Sequence, residues 1–107
     1  MTTVVVLRDM RDAGDSRRLT ASIQPGGCLV IEGQDLGQRV EEIFGAREYE
    51  WTWTVRTEGC ERLRAALGKT DLLGALAERF SGEKAADLKA FLDSSDVPFE
   101  QWSRVGD

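Results

Sequence analysis

The residues best suited to chemistry are four carboxylates in the middle of the chain, Glu32, Asp35, Glu48 and Glu50. Paired carboxylates coordinate hard cations such as Ca²⁺ and Mg²⁺, or share a proton in acid–base catalysis. Asp35 has a competing use as a helix cap, and charged side chains mostly lie in solvent. The cluster is therefore either a metal or catalytic site built on Glu32, Asp35 and Glu50, or a solvated acidic face, and the second interpretation is favoured.

Several other kinds of site are excluded by the composition. The chain has no histidine, which removes Ser-His-Asp and Cys-His catalytic arrangements and every zinc site that needs imidazole. Its two cysteines, Cys28 and Cys60, are too few for an all-thiolate zinc site, and their spacing favours buried thiols over a disulfide. Ser81 to Lys84 matches the S-x-x-K string of some acyl-transferring enzymes, but the companion motifs are missing. We therefore predict no catalytic residue, no cofactor and no metal.

The net charge of the chain is acidic, and the acidity is local. The net charge is −5, whereas nucleic-acid-binding proteins carry a basic footprint. Six acids outnumber two arginines, Arg39 and Arg47, between Glu32 and Glu50. Charge complementarity then favours a protein partner with a basic surface, and neither nucleic acid nor a membrane.

A strand is predicted over Glu48 to Val55. Its large apolar residues, Tyr49, Trp51, Trp53 and Val55, alternate with polar ones, which places them on one buried face. Aromatic side chains bury about 150–250 Å² each. We therefore expect this strand to dominate the hydrophobic driving force.

An amphipathic helix is predicted from Asp35 to Gly45, directly before this strand. The apolar residues that recur at helical spacing are Leu36, Val40, Ile43 and Phe44. Asp35 and Gln38 suit the N-cap and N3 positions of a capping box, and Gly45 suits the position that ends the helix. Glu41 and Glu42 then form an exposed acidic face.

The rest of the chain places strands before this central run and helices after it. Strands in an antiparallel meander are predicted over Thr2 to Asp12, Arg17 to Gln24 and Cys28 to Glu32, with Gly14 in the first central position of a type II′ hairpin. Helices are predicted over Glu58 to Leu67, from a cap at Thr70 to Gly82, and over Glu83 to Ser94, before an edge strand over Phe99 to Val105.

The order β-β-β-α-β-α-α-α-β predicts a single α+β domain over residues 1–107. Its sheet is antiparallel-rich, with four to five strands and with helices packed on one face. The relative direction of the two strands that flank the first helix stays open, because the connection is only just long enough for a crossover.

The central run also carries a resemblance. Ile31 to Gly37 (IEGQDLG), Val40 to Gly45 (VEEIFG) and Glu48 to Trp51 (EYEW) together resemble a family of small uncharacterised bacterial proteins of the actinobacterial type. The resemblance covers the middle of the chain and, more loosely, Val97 to Glu100. It implies no established activity, and Trp53 and Cys60 lie outside the pattern.

Some exposed residues are candidates for binding. The predicted protein-binding residues are Glu41, Glu42, Glu48, Glu50 and Trp102. Trp102 is either a recognition aromatic on an edge strand or a lid over the core. The sheet face opposite the helices, which carries Thr52 and Thr54, is either an ordinary exposed face or an interface for a homodimer or a partner.

These observations predict a cytoplasmic protein, because no apolar run suits a signal peptide or a membrane span. We expect a protein-binding module, adaptor-like or inhibitor- and immunity-like, that presents an acidic surface to a basic partner. The alternatives are a small enzyme or divalent-metal binder that uses Glu32, Asp35 and Glu50, and a structural subunit of a larger complex.

Overall fold

Five strands form one antiparallel sheet in the computed structural model, which describes residues 3–106. The strands are β1 (Val4–Asp12), β2 (Asp15–Ile23), β3 (Leu29–Leu36), β4 (Glu48–Val55) and β5 (Glu100–Gly106). The helices are α1 (Gln38–Phe44), α2 (Thr57–Leu67), α3 (Leu72–Arg79) and α4 (Leu88–Ser94), and a 3-10 helix (Gly82–Asp87) precedes α4. No helix among the described residues is both long and apolar enough to cross a bilayer.

The sheet is a meander in which each strand pairs with its neighbours in the chain, in the order β1-β2-β3-β4-β5. All four pairings are antiparallel, including the pairing of β3 with β4 whose direction the sequence left open. The predicted α+β class, with helices on one face of an antiparallel sheet, is confirmed. The two edges of the sheet are β1 and β5.

Alternation along each strand gives the sheet two unlike faces. On the helix face, Leu19, Leu29 and Ile31 are buried. They pack in one cluster with apolar side chains from the helical half of the chain, among them Leu63, Leu72, Leu76, Leu88 and Leu92. The other side of the sheet, here called the open face, carries Thr20, Glu32, Thr52 and Trp102 in one cross-strand row.

A ladder of five aromatic rings runs along β4 on the helix face. The rings are Phe44, Tyr49, Trp51, Trp53 and Phe99, and successive centroids lie 4.5, 5.5, 6.5 and 5.6 Å apart. Trp51 and Trp53 are half-buried and lean against the core, whereas the most deeply buried side chains are aliphatic. The expectation that β4 dominates the hydrophobic driving force stays a prediction, and β1 carries much of the helical cover through α3 and the 3-10 helix.

The start of α1 differs from its prediction. Asp35 is not its cap, because β3 continues to Leu36 and Asp35 pairs with Tyr49 of β4. The helix begins after Gly37, which has a positive φ of 123°. Its first turn is capped from another hairpin, since the backbone N–H of Arg39 donates to Asp15 Oδ1 at 3.2 Å.

Three other local predictions are corrected. The first hairpin is a type I′ turn on Ala13 and Gly14, whose φ values of 47° and 87° are both positive. The cap of α3 is Asp71, whose side chain accepts from a backbone N–H, and not Thr70. The helix predicted over Glu83 to Ser94 is divided into the 3-10 helix and α4.

Substitution of Gly33 tests the packing of Trp51. An added Cβ would lie 2.0 Å from a ring carbon of Trp51, so Gly33→Ala forces the indole to move. Overpacking of this kind costs about 1–3 kcal/mol, and we expect urea denaturation to show a loss in this range. Gly26→Ala is the matched control, because a Cβ there meets nothing within 4 Å. Equal stability of the two variants would contradict the observed position of Trp51.

Candidate functional site

The predicted acidic residues lie on two different elements. Glu48 and Glu50 project from β4 on the open face, where both contact Arg104 of β5. Glu41 and Glu42 lie on α1, which packs on the helix face through the stacking of Phe44 on Tyr49. Because α1 packs on the helix face and Glu48 and Glu50 lie on the open face, these four acids do not form one site.

Arginines offset much of the acidic surplus. Arg47 Nη1 lies 3.5 Å from Glu41 Oε2. Arg104 Nη2 lies 3.0 Å from Glu48 Oε1 and 3.4 Å from Glu50 Oε2. Because Arg104 belongs to β5, a charge count along the central run does not include it.

Glu48 and Glu50 also interact with each other. A side-chain hydrogen bond to Glu50 is the main cause that raises the pKa of Glu48, and the Arg104 guanidinium opposes this shift. The two side chains share one arginine and are only partly exposed. They therefore offer a partner less negative charge than two isolated glutamates would.

The carboxylates of the metal or enzyme alternative do not converge. Glu32 and Glu50 lie on the open face, whereas Asp35 is three residues from Glu32 along β3 and so projects from the helix face. There Asp35 Oδ1 accepts a hydrogen bond from Arg17 Nε at 3.3 Å. In the described part of the chain, no group of three or more histidine, cysteine, aspartate or glutamate residues is placed to hold a metal ion.

The open face contains a shallow groove of about 550 Å³, here called the open-face groove. The residues that line it include Arg18, Thr20, Glu32, Glu50, Thr52 and Trp102. Its centre is the cross-strand row already described, in which Glu32 pairs with Thr20 on one side and Thr52 on the other. Thr52 in turn pairs with Trp102, so this row joins four strands.

Glu32 and Trp102 are two exposed side chains of the groove. Glu32 is exposed, and no cationic group of residues 3–106 lies within 4.0 Å of its carboxylate, although Arg18 lines the same groove. Trp102 is 54% exposed. Its position opposite Thr52 on the edge strand turns it to the open face, so it is not a lid over the core.

Comparison of the chain with protein-family models, with curated proteins and with solved structures finds no match in any of the three. The resemblance carried by Ile31 to Gly37 therefore stays an expectation.

Sequence reasoning missed Arg8, which is only 7% exposed. The register of β1 shifts between Val6 and Arg8, and this bulge sets Arg8 opposite Leu19 on the helix face. Its Nε is buried without a hydrogen-bond partner within the described residues. Burial lowers the pKa of Arg8, the nearby Arg17 lowers it further, and Asp35 opposes both effects. No sequence pattern marks a bulge at this position.

Replacement of Arg8 tests whether its buried charge is unpaired. Arg8→Met keeps much of the apolar stem and removes the charge, so we expect the free energy of unfolding to rise by about 1 kcal/mol. Arg8→Ala is the control, because it also leaves a cavity and is expected to lower stability. Urea denaturation measures both. A clear loss of stability in Arg8→Met would mean that the guanidinium has an anionic partner.

Proposed function

We propose that this chain is a non-catalytic protein-binding module whose open-face groove accepts an arginine side chain of a basic partner. The observation that carries the proposal is that one cross-strand row contains an exposed carboxylate, Glu32, which forms no ion pair among residues 3–106, and an exposed indole, Trp102. The two residues are separated by one strand. Since adjacent strands lie about 4.8 Å apart, their Cα atoms are about 10 Å apart.

This spacing suits an extended arginine. Its apolar stem would pack on Trp102 above Thr52, and its guanidinium would form a bidentate pair with Glu32. Tryptophan is among the residues that most often dominate binding energy at interfaces. The hydroxyl groups of Thr20 and Thr52 add hydrogen-bonding partners beside the carboxylate.

The net charge of the protein supports a basic partner as well. The chain carries −5 at neutral pH, which speeds the encounter with a cationic surface and works against the binding of nucleic acid. An adaptor or an inhibitor of immunity type has this character. A site of action in the cytoplasm is part of the proposal, and it is supported by two unbridged cysteines, Cys28 and Cys60.

The acidic face of α1 is the second candidate surface. Glu42 is exposed and takes part in a hydrogen bond from Gln38 rather than an ion pair. The neighbouring Ile43 is 74% exposed, which is unusual for a large apolar side chain. Self-association through the open face, which carries Thr52 and Thr54, stays a separate expectation.

Titration with short basic peptides tests the groove. We expect a tetra-arginine peptide to shift the indole N–H signal of Trp102 in ¹H–¹⁵N spectra, and added salt to weaken the effect. Glu32→Gln should weaken binding about tenfold, which corresponds to about 1.4 kcal/mol, because the bidentate pair is lost. Trp102→Ala should weaken it as well.

The matched control is Glu83→Gln, which neutralises an exposed acid on the 3-10 helix and should leave binding unchanged. A loss of binding in the double variant Glu41→Gln, Glu42→Gln, with no loss in Glu32→Gln, would place the interface on α1. That outcome would overturn the groove as the binding site.

A further inference from the structure

The two edges of the sheet differ in their protection. β1 carries a bulge beside Arg8 and packs against α3 and the 3-10 helix. Bulges and packed helices are two ways in which proteins prevent edge strands from pairing with other chains. β5 pairs with β4 over seven residues without a register shift, and no helix of the described residues makes comparable contact with it. The free edge of β5 is therefore open to another strand.

The side chains of β5 are exposed on both faces. Trp102 projects from the open face, while Val105, which is 45% exposed, projects from the helix face. An exposed edge strand with large apolar groups on both of its faces is a template for strand addition. Such an edge needs an occupant that also covers these groups.

Two copies of β5 that pair in antiparallel fashion around Trp102 place favourable residues opposite each other. In an antiparallel pair of β5 strands with Trp102 on the two-fold axis, Glu100 lies opposite Arg104 of the second copy, and Trp102 faces Trp102. Phe99, just before β5, lies opposite Val105 on the helix face. Opposite charges, paired aromatics and an apolar pair are each favourable cross-strand neighbours. An axis through Ser103 instead sets Glu100 opposite Gly106 and loses these pairs.

The side chains of Glu100 and Arg104 each already form an ion pair within one chain. Arg56 Nη2 donates to Glu100 Oε1 at 2.6 Å, and Arg104 Nη2 lies 3.0 Å from Glu48 Oε1. Pairing about Trp102 would join these contacts into a row of alternating charge, from Arg56 through Glu100 to Arg104 and Glu48 of the second copy. Pre-ordered side chains lose little further entropy when they pair.

The geometry points to a second copy of this chain as the occupant of the β5 edge, in an antiparallel register with Trp102 on the two-fold axis. The product is a continuous ten-stranded sheet with both open faces on the same side. The interface is isologous, as in most homodimers. It does not rest on the proposed arginine site, because the strand pairing does not involve Glu32, although Trp102 belongs both to the groove and to the β5 edge.

Charge reversal at two positions tests the register. Glu100→Arg and Arg104→Glu each place like charges opposite each other at two positions of the dimer. Each variant alone should therefore be monomeric in sedimentation equilibrium. The comparison is made at concentrations where the unaltered chain approaches twice its mass of 11.9 kDa. An equimolar mixture restores two opposite-charge pairs and should recover the dimer. Glu83→Arg, far from β5 in the chain, is the control and should dimerise normally.

Cysteine cross-linking gives a second readout, which matters because Arg104→Glu sets a third acid beside Glu48 and Glu50 and can impair folding. In the proposed register Gln101 lies opposite Ser103 of the second copy. Opposed Cα atoms in antiparallel pairs lie about 4.5–5.5 Å apart, within the range that a disulfide spans. In a Cys28→Ser background, a mixture of Gln101→Cys and Ser103→Cys should therefore cross-link, and neither variant alone should.

Three results would overturn the inference. The first is an unaltered chain that stays monomeric at every concentration. The second is a dimer that the two charge reversals do not weaken and in which the cysteine mixture does not cross-link, because another surface would then hold it. The third is cross-linking of Ser103→Cys with itself, which would place the axis at Ser103. Binding of arginine peptides is measured separately and can fail without affecting any of these results.

Discussion

The rest of the structure depends on the burial of one sheet face beneath the helical half of the chain. Leu19 and Ile31 from the sheet meet Leu76 and Leu88 from the helices in one aliphatic cluster. Burial of apolar surface stabilises by about 25 cal/mol per Å², and these side chains are almost completely removed from water. The cover is off-centre, because α3 and the 3-10 helix pack against β1, whereas no helix of the described residues makes comparable contact with β5. No residue of β5 is buried.

The aromatic ladder follows from this off-centre cover. Beside the helices, the aromatic rings of β4 stack on one another and cover the helix face of this strand. Phe44 of α1 lies at one end of the ladder and Phe99 at the other. The Trp51 ring lies directly above Gly33, where any side chain would displace it. β5 lies beyond this ladder, and it is attached through its strand pairing with β4 and through ion pairs such as those of Glu100 and Arg104. An edge held in this way stays accessible on both faces.

Local patterns predicted the elements well and their long-range partners poorly. The alternation from Tyr49 to Val55 was enough to predict a strand and its buried face, because both depend on neighbours in the chain. The cap of α1 comes from Asp15, twenty-four residues before Arg39, and only the pairing of β2 with β3 brings it there. The burial of Arg8 depends on a bulge in a register that no periodicity specifies. In both cases a tertiary contact, and not the local sequence pattern, decides the structure.

The same distinction explains why the surroundings of Glu32 differ from those of Glu48 and Glu50. A count of charges along the central run treats its acids alike, but their surroundings depend on the neighbouring strands. Glu48 and Glu50 lie beside Arg104 of β5. Glu32 lies between Thr20 and Thr52, which carry no charge and cannot neutralise it. Among residues 3–106 Glu32 therefore forms no ion pair, although Arg18 lines the same groove, whereas Glu48 and Glu50 share Arg104. Strand pairing, and not the number of acids along the central run, therefore decides which of these carboxylates lies beside an arginine.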